Sequence, residues 1–144
     1  MKEAQKGWHN HPNGGGLVQD TAFVDSTVFV AENAQVYGNA QVYGNARVYG
    51  DAWVYGNARV SGDAWVYGDA RVSGDAWEVS PLYIQGSRHA LTNSRKGYLQ
   101  IGCHERTFAD WKKHYKAIGR TEGYTPAQVK EYGQLIDLFV AIGK

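Results

Sequence analysis

Valine recurs at every sixth position from residue 18 to residue 72, ten times without a miss. Four residues after each valine stands a small one, Ala22, Val28, Ala34 and so on to Ala76. From Gly38 to Gly74 the third position of the hexad is always glycine, and the fourth is Asn or Asp. A period of six is incompatible with an α-helical stripe, which repeats at about 3.6 residues. It fits a short strand followed by a tight turn. Valine is β-branched and favours the strand. Gly followed by Asn or Asp suits the turn, because both tolerate left-handed backbone angles. Alanine belongs at a corner where a larger side chain would clash inside. Three such strands close a triangular coil of 18 residues, so ten hexads predict a little over three coils stacked at the usual inter-strand spacing of about 4.8 Å.

The hexads VYGNAR and VYGDAW resemble the hexapeptide-repeat family, and the resemblance covers residues 18–77. It implies a left-handed parallel β-helix. Many members are acyltransferases or γ-class carbonic anhydrases, and they commonly form parallel trimers. The segments HPNGGG and SPLYIQGSRHALT…YLQIGCHERTFADW resemble small hexapeptide proteins of bacteria, phages and prophages, a group without a settled activity. A repeat of this kind specifies scaffold rather than chemistry.

The expected fold class is mainly β: a left-handed parallel β-helix with a C-terminal β-hairpin and two α-helices. The expected divisions are 1–17 as an N-terminal cap, 18–86 as the β-helix, and 87–144 as a hairpin and helical cap or oligomerisation region. In the cap, WHNHPNGGG suits a chain folding back over an open end. His9 and His11 alone do not make a metal site, and a cap covering the strand edge is preferred. At Glu78 the phase breaks, while Ile84 falls back in phase, so LYIQG reads as the last strand of the coil. RHALTN and YLQIGC read as a hairpin. Thr107 and Asp110 form a capping box opening one helix, with Gly119 closing it; Thr125, Pro126 and Gln128 open a second.

With valine pointing inward, its neighbours point outward in ladders. One face carries Gln35, Trp53 and Arg71 beside Tyr37, Tyr55 and Ser73. A second carries Phe23, Gln41, Arg59 and Trp77 beside Asp25, Tyr43 and Ser61. A third carries Phe29, Arg47 and Trp65 beside Ala31, Tyr49 and Tyr67. Most rows serve to stiffen the sheets by aromatic and cation–π stacking. At least one face is expected to be a subunit interface, because soluble monomers rarely expose so much aromatic surface.

Residues 18–77 contain no histidine, which removes both the histidine base of the acyltransferases and the three zinc-holding histidines of the anhydrases. No catalytic set, metal or cofactor is expected. Ser87, Arg88, His89, Cys103, His104 and Arg106 are the polar residues outside the repeat that suggest chemistry. Arg88, His89, His104 and Arg106 are read as an anion site. Rival readings are a Cys103–histidine nucleophile pair, a metal site, or a buried structural thiol with the arginines paired to Glu78 or Glu105. Lys112, Lys113 and Lys116 read as a solvated helix face.

Net charge is +1, which argues against nucleic acid as a partner. Residues 1–77 carry five Lys/Arg against eight Asp/Glu, and 78–144 carry ten against six, so body and tail differ in sign. A single cysteine excludes an internal disulfide, and no run is long enough for a membrane span. Residues 1–19 show no secretory signal. A cytoplasmic location is expected, the host cytoplasm if the protein is phage-encoded. Together these features predict a non-enzymatic binding or assembly protein on a homotrimeric scaffold. Its target would be a host protein or a phosphate-containing small molecule such as a nucleotide. The alternatives are an acyltransferase acting on a small amine or sugar, and a structural phage component.

Overall fold

The computed structural model describes residues 4–144, and the chain forms two compact units, Met1–Pro81 and Leu82–Lys144. Of the expected 1–17 cap, residues 1–3 lie outside the described residues.

The first unit is a parallel β-solenoid of about three turns, as the period of six predicts. Its strands are β1 Trp8–Asn10, β2 Leu17–Gln19, β3 Phe23–Val24, β4 Phe29–Val30, β5 Gln35–Val36, β6 Gln41–Val42, β7 Arg47–Val48, β8 Trp53–Val54, β9 Arg59–Val60, β10 Trp65–Val66, β11 Arg71–Val72 and β12 Ala76–Trp77. They assemble into three sheets, β1-β2-β5-β8-β11, β10-β7-β4 and β12-β9-β6-β3. Register is set by 18 residues: Gln35 pairs with Trp53, and Val36 with Val54. Every coil therefore lays valine on valine. Val36, Val42, Val48, Val54 and Val60 are fully buried, as are Ala34, Ala40, Ala46, Ala52 and Ala58. Each buried valine contributes about 1.5–3 kcal/mol relative to an exposed one. At the turns, Gly38 has φ +68°, and a Cβ there would lie 2.9 Å from the Gly56 backbone nitrogen of the next coil. Both the backbone angle and the close approach demand glycine.

β1 folds back antiparallel on β2, pairing Trp8 with Gln19, and so covers the first coil's edge. His11 closes the interior beneath it. It is 3% exposed, and its Nε2–H donates to the Val28 carbonyl at 2.7 Å.

The repeat ends by a slip of one residue. Asp75, not the preceding glycine, takes the left-handed turn, with φ +62°. Ala76 consequently pairs with Arg59, and Trp77 with Val60. Trp77 is 2% exposed and its indole N–H donates to the Gly74 carbonyl at 2.8 Å. The expectation that Trp77 stands in an outward row beside Arg59 is thus corrected: it faces inward and closes the core. The hexad rule misplaces it because the chain needs one residue fewer to turn at Asp75.

The second unit is a four-stranded antiparallel sheet of β13 Tyr83–Gln85, β14 Ala90–Arg95, β15 Tyr98–Ile101 and β16 His104–Thr107, followed by α1 Phe108–Thr121 and α2 Pro126–Ile142. The expected hairpin, β14–β15, is its centre. β13, read as the coil's last strand, instead pairs antiparallel with β14, Ile84 opposite Leu91. The apparent return of phase at Ile84 is coincidental. Leu91, Leu99, Ile101, Trp111, Tyr132, Ile136 and Phe139 form the core, and the Trp111 indole N–H donates to the Leu99 carbonyl at 2.6 Å.

Both helix starts follow the sequence. The Thr107 hydroxyl accepts from the Asp110 amide, and the reciprocal Thr125–Gln128 box is complete with Pro126 behind it. The end of α1 does not. Gly119 is buried within the helix, where a Cβ would meet Val129 Cγ2 at 3.1 Å, and Gly123, at φ +77°, makes the turn that follows. The chain then finishes against the sheet: Asn93, 1% exposed, accepts from the Lys144 amide at 2.7 Å and donates to its carbonyl at 3.0 Å.

Candidate functional site

On two of the three solenoid faces outward aromatic residues stack from coil to coil. Tyr37 and Tyr55 stack with centroids 5.0 Å apart and planes 8° from parallel. Trp8 adds a tilted ring at 6.0 Å from Tyr37, and Trp53 packs edge-on to Tyr37 at 6.1 Å. Burial, and then the neighbouring Tyr55 hydroxyl, push the Tyr37 hydroxyl above the usual tyrosine range. The Arg71 guanidinium lies 4.0 Å over the Trp53 ring, and its Nη1 donates to the Asp51 and Asp69 carbonyls, each at 3.0 Å. Arg71 therefore ties two successive coils together. On the third sheet Arg47 is in register with Trp65, Tyr49 stacks on Tyr67 at 5.9 Å, and Trp65 meets Tyr49 edge-on at 5.9 Å. Within the Tyr37–Tyr55 and Tyr49–Tyr67 pairs the facing ring surfaces cover one another. Several aromatic rings nonetheless stay exposed: Phe23 at 56%, Trp65 at 48%, Tyr67 at 38% and Tyr43 at 37%.

The slip at Asp75 creates a second surface feature. Beyond Trp77 the chain crosses the solenoid face as Glu78–Val79–Ser80. It is held there by the Ser61 amide donating to the Trp77 carbonyl at 2.9 Å and the Trp65 amide donating to Ser80 Oγ at 2.9 Å. Between this crossing and the preceding coil runs a shallow groove of about 750 Å³ lined by Tyr43, Ser61, Asp63, Glu78, Val79 and Ser80. Repeat-based reasoning missed it, since only the broken phase at Glu78 marks the place.

In the second unit a cavity of about 60 Å³ lies between the sheet and the two helices. His89, Cys103 and His104 all line it, with Glu122, Tyr124 and Tyr132 as further polar neighbours and Ile101, Trp111, Ile118 and Ile136 as apolar ones. His89 Nδ1 is 2.5 Å from the Tyr124 hydroxyl. The Tyr132 hydroxyl donates to the His89 carbonyl at 2.7 Å while accepting from the Arg88 and His89 amides at 3.0 and 2.6 Å. Burial, and then the adjacent Tyr132, push Tyr124 up to about 12. These tyrosines carry no sequence signal, because they meet His89 only through the packing of α2 and the turn before it.

Of the four residues read as an anion site, His89 and His104 reach this cavity; the guanidiniums of Arg88 and Arg106 do not line it. Arg88 donates to the Glu122 and Gly123 carbonyls, both at 2.9 Å, and lies 4.7 Å over Tyr124, so it caps the C-terminal end of α1. Arg106 bonds Asp110 Oδ2 at 2.7 Å and holds that carboxyl below its ordinary range. His104 Nε2 is 3.1 Å from Glu122 Oε1. Cys103 is exposed rather than a buried structural thiol. Among the described residues no group of three His, Cys, Asp or Glu side chains is placed to hold a metal ion. His9 pairs with Asp20 at 2.8 Å, whereas His11 serves the interior of the cap. No described helix is long and apolar enough to cross a membrane.

Three overlapping segments, 40–55, 52–68 and 64–79, match the model of the family described as YdcK Beta solenoid repeat. The match and the strand pairing agree on the class: the repeat is that of a β-solenoid protein. Neither a curated protein nor a solved structure matches the chain.

Proposed function

We propose that this chain is a non-enzymatic assembly protein whose solenoid joins copies of itself, as a homotrimer, through its exposed aromatic surface. The observation that carries the proposal is the exposure of Phe23, Trp65, Tyr67 and Tyr43 on a rigid, repeat-built scaffold. Large aromatic side chains left in water on regular strands cost hydrophobic free energy that association recovers. Tyr, Trp and Arg are also the residues that interfaces concentrate. Trimerisation is what the resemblance to hexapeptide proteins implies. Capture of a host protein or a phosphate-containing small molecule is a finer form of the same proposal. Its phosphate version draws little support from Arg88 and Arg106, whose charges are already compensated by helix-end carbonyls and by Asp110.

Native mass spectrometry of the purified chain tests the assembly. The expected result is three times the 15.9 kDa chain mass, with Trp65→Ser shifting the population toward single chains. A wild-type chain that stays single at all concentrations overturns the proposal. Small retained mass on the trimer would identify the class of any captured ligand.

A further inference from the structure

The two units differ in sign. Residues 1–81 carry five Lys/Arg against nine Asp/Glu, and residues 82–144 carry ten against five. On the solenoid the imbalance is local. Two carboxylates, Asp63 and Glu78, line the groove made by the slip at Asp75, and among the described residues no cation lines it. Both acids are exposed, and the partly exposed Tyr43 ring and Val79, which is 54% exposed, line the same groove. A groove that offers apolar and acidic side chains together suits a cationic helix face, whose lysine stems cover apolar surface while their heads reach the carboxylates.

The chain carries such a face. Lys112, Lys116 and Arg120 follow one another at i, i+4 and i+8 along α1, with Lys113 beside them, and all four are exposed. The acids at the two ends of this helix are already held, Asp110 by Arg106 and Glu122 by His104. Lys112 has Asp137 at 3.9 Å, and Lys113, Lys116 and Arg120 leave the exposed stripe net cationic.

We infer that the groove lined by Tyr43, Asp63, Glu78 and Val79 receives the Lys112–Lys116–Arg120 face of α1 from a second copy of this chain. The contact is heterologous, groove to helix, so each copy gives one surface and receives the other, and a ring closes when the rotation between copies allows it. The inference rests on the self-assembly proposed above and names one of its contacts. The attraction is between exposed charges, so it weakens as salt shortens the screening length from about 30 Å at 0.01 M to about 3 Å at 1 M.

The test is sedimentation velocity on four full-length chains at low and high salt, with circular dichroism showing that each is folded. The chains are wild type, a groove variant (Asp63→Lys with Glu78→Lys), a helix variant (Lys112→Glu, Lys113→Glu and Lys116→Glu), and a chain bearing both sets. Wild type is expected to assemble at low salt and to lose at least tenfold in association constant at high salt. Each single set is expected to leave single chains, and the combined set to restore assembly by exchanging the two signs. A single-chain wild type overturns the assembly itself. An assembled wild type whose groove and helix variants assemble equally well overturns only this contact. Loss in the groove variant without recovery in the combined chain also overturns it, and gives the groove a different occupant.

Discussion

Trp77 lies opposite Val60 in the parallel register, filling the inward position that valine fills in every coil before it. The indole is much larger than valine, and its N–H is satisfied by the Gly74 carbonyl within the same turn. It therefore closes the valine column where the repeat stops. Trp77→Ala would open a cavity at the end of the solenoid core. A loss of about 3–5 kcal/mol is expected, read as a lower urea midpoint with unchanged slope. Trp53→Ala, at a solvent-facing ladder position, should cost no more than about 1–2 kcal/mol. Equal losses at the two positions would contradict the inward placement of Trp77.

The contrast between these tryptophans explains what the sequence could reveal. Trp53 and Trp77 each follow an alanine in a Gly-Asp-Ala-Trp string, so by local sequence they are twins. Only the turn at Asp75, one residue shorter, sends one ring outward and the other inward. A fixed period makes the coils legible because each copy supplies the same short-range information: a β-branched strand residue, a glycine turn and a small corner. Where the copies end, that redundancy ends too. β13 kept the valine phase by chance at Ile84, although its partner is Leu91. The helix caps at Thr107 and Thr125 were legible because capping is local. The grouping of His89, Tyr124 and Tyr132 was not, since it joins residues 35 and 43 positions apart. The guanidiniums of Arg88 and Arg106 looked free for an anion because their partners, the end of α1 and Asp110, depend on where the helices stop and pack.

His11 makes the stability of the solenoid dependent on pH. Burial is the main cause that lowers its pKa beneath the ordinary 6.5, outweighing the Val28 carbonyl that favours the proton. The folded state thus holds the ring neutral at a pH where the unfolded chain has begun to bind a proton. Below 6.5 the unfolded state carries more protons, and stability must fall as acid is added. Above about 7.5 both states are neutral at this site and its contribution is constant. A melting curve followed by circular dichroism from pH 8 to pH 5 should show the loss beginning near pH 6.5. His11→Gln can keep a donor to Val28 and should flatten that segment of the profile; an unchanged profile would remove His11 as its cause.

Asn93 anchors the end of the second unit through its amide. Its Oδ1 takes the Lys144 amide at 2.7 Å, while its Nδ2 donates to the Lys144, Tyr98 and Arg95 carbonyls at 3.0, 2.9 and 3.0 Å. Removing that side chain takes the Asn93 hydrogen bond from the Lys144 amide and from three carbonyls, of which that of Lys144 keeps the Gly97 amide at 2.7 Å. Asn93→Ala is expected to cost about 2–3 kcal/mol. Hydrogen exchange should show the effect at the Lys144 and Gly143 amides and the last turn of α2, with the solenoid amides unchanged. Protection unchanged at Lys144 would contradict the anchoring role.

Arg71 gives the sharpest test of whether the ladders do more than decorate the solenoid. Its guanidinium covers Trp53 at 4.0 Å and bridges the carbonyls of Asp51 and Asp69, which belong to successive coils. A lysine can supply the charge but not the planar fork that stacks and bridges together. Arg71→Lys should therefore recover little of the roughly 1–2 kcal/mol expected to be lost in Arg71→Ala. A double-mutant cycle with Trp53→Ala should return a coupling of about 0.5–1 kcal/mol that largely persists in 1 M salt, because the guanidinium is in direct contact with the ring and leaves no room for a screening ion between them. If the coupling is zero, the stack contributes nothing to the sheet, and Arg71 acts only through the carbonyls it bridges.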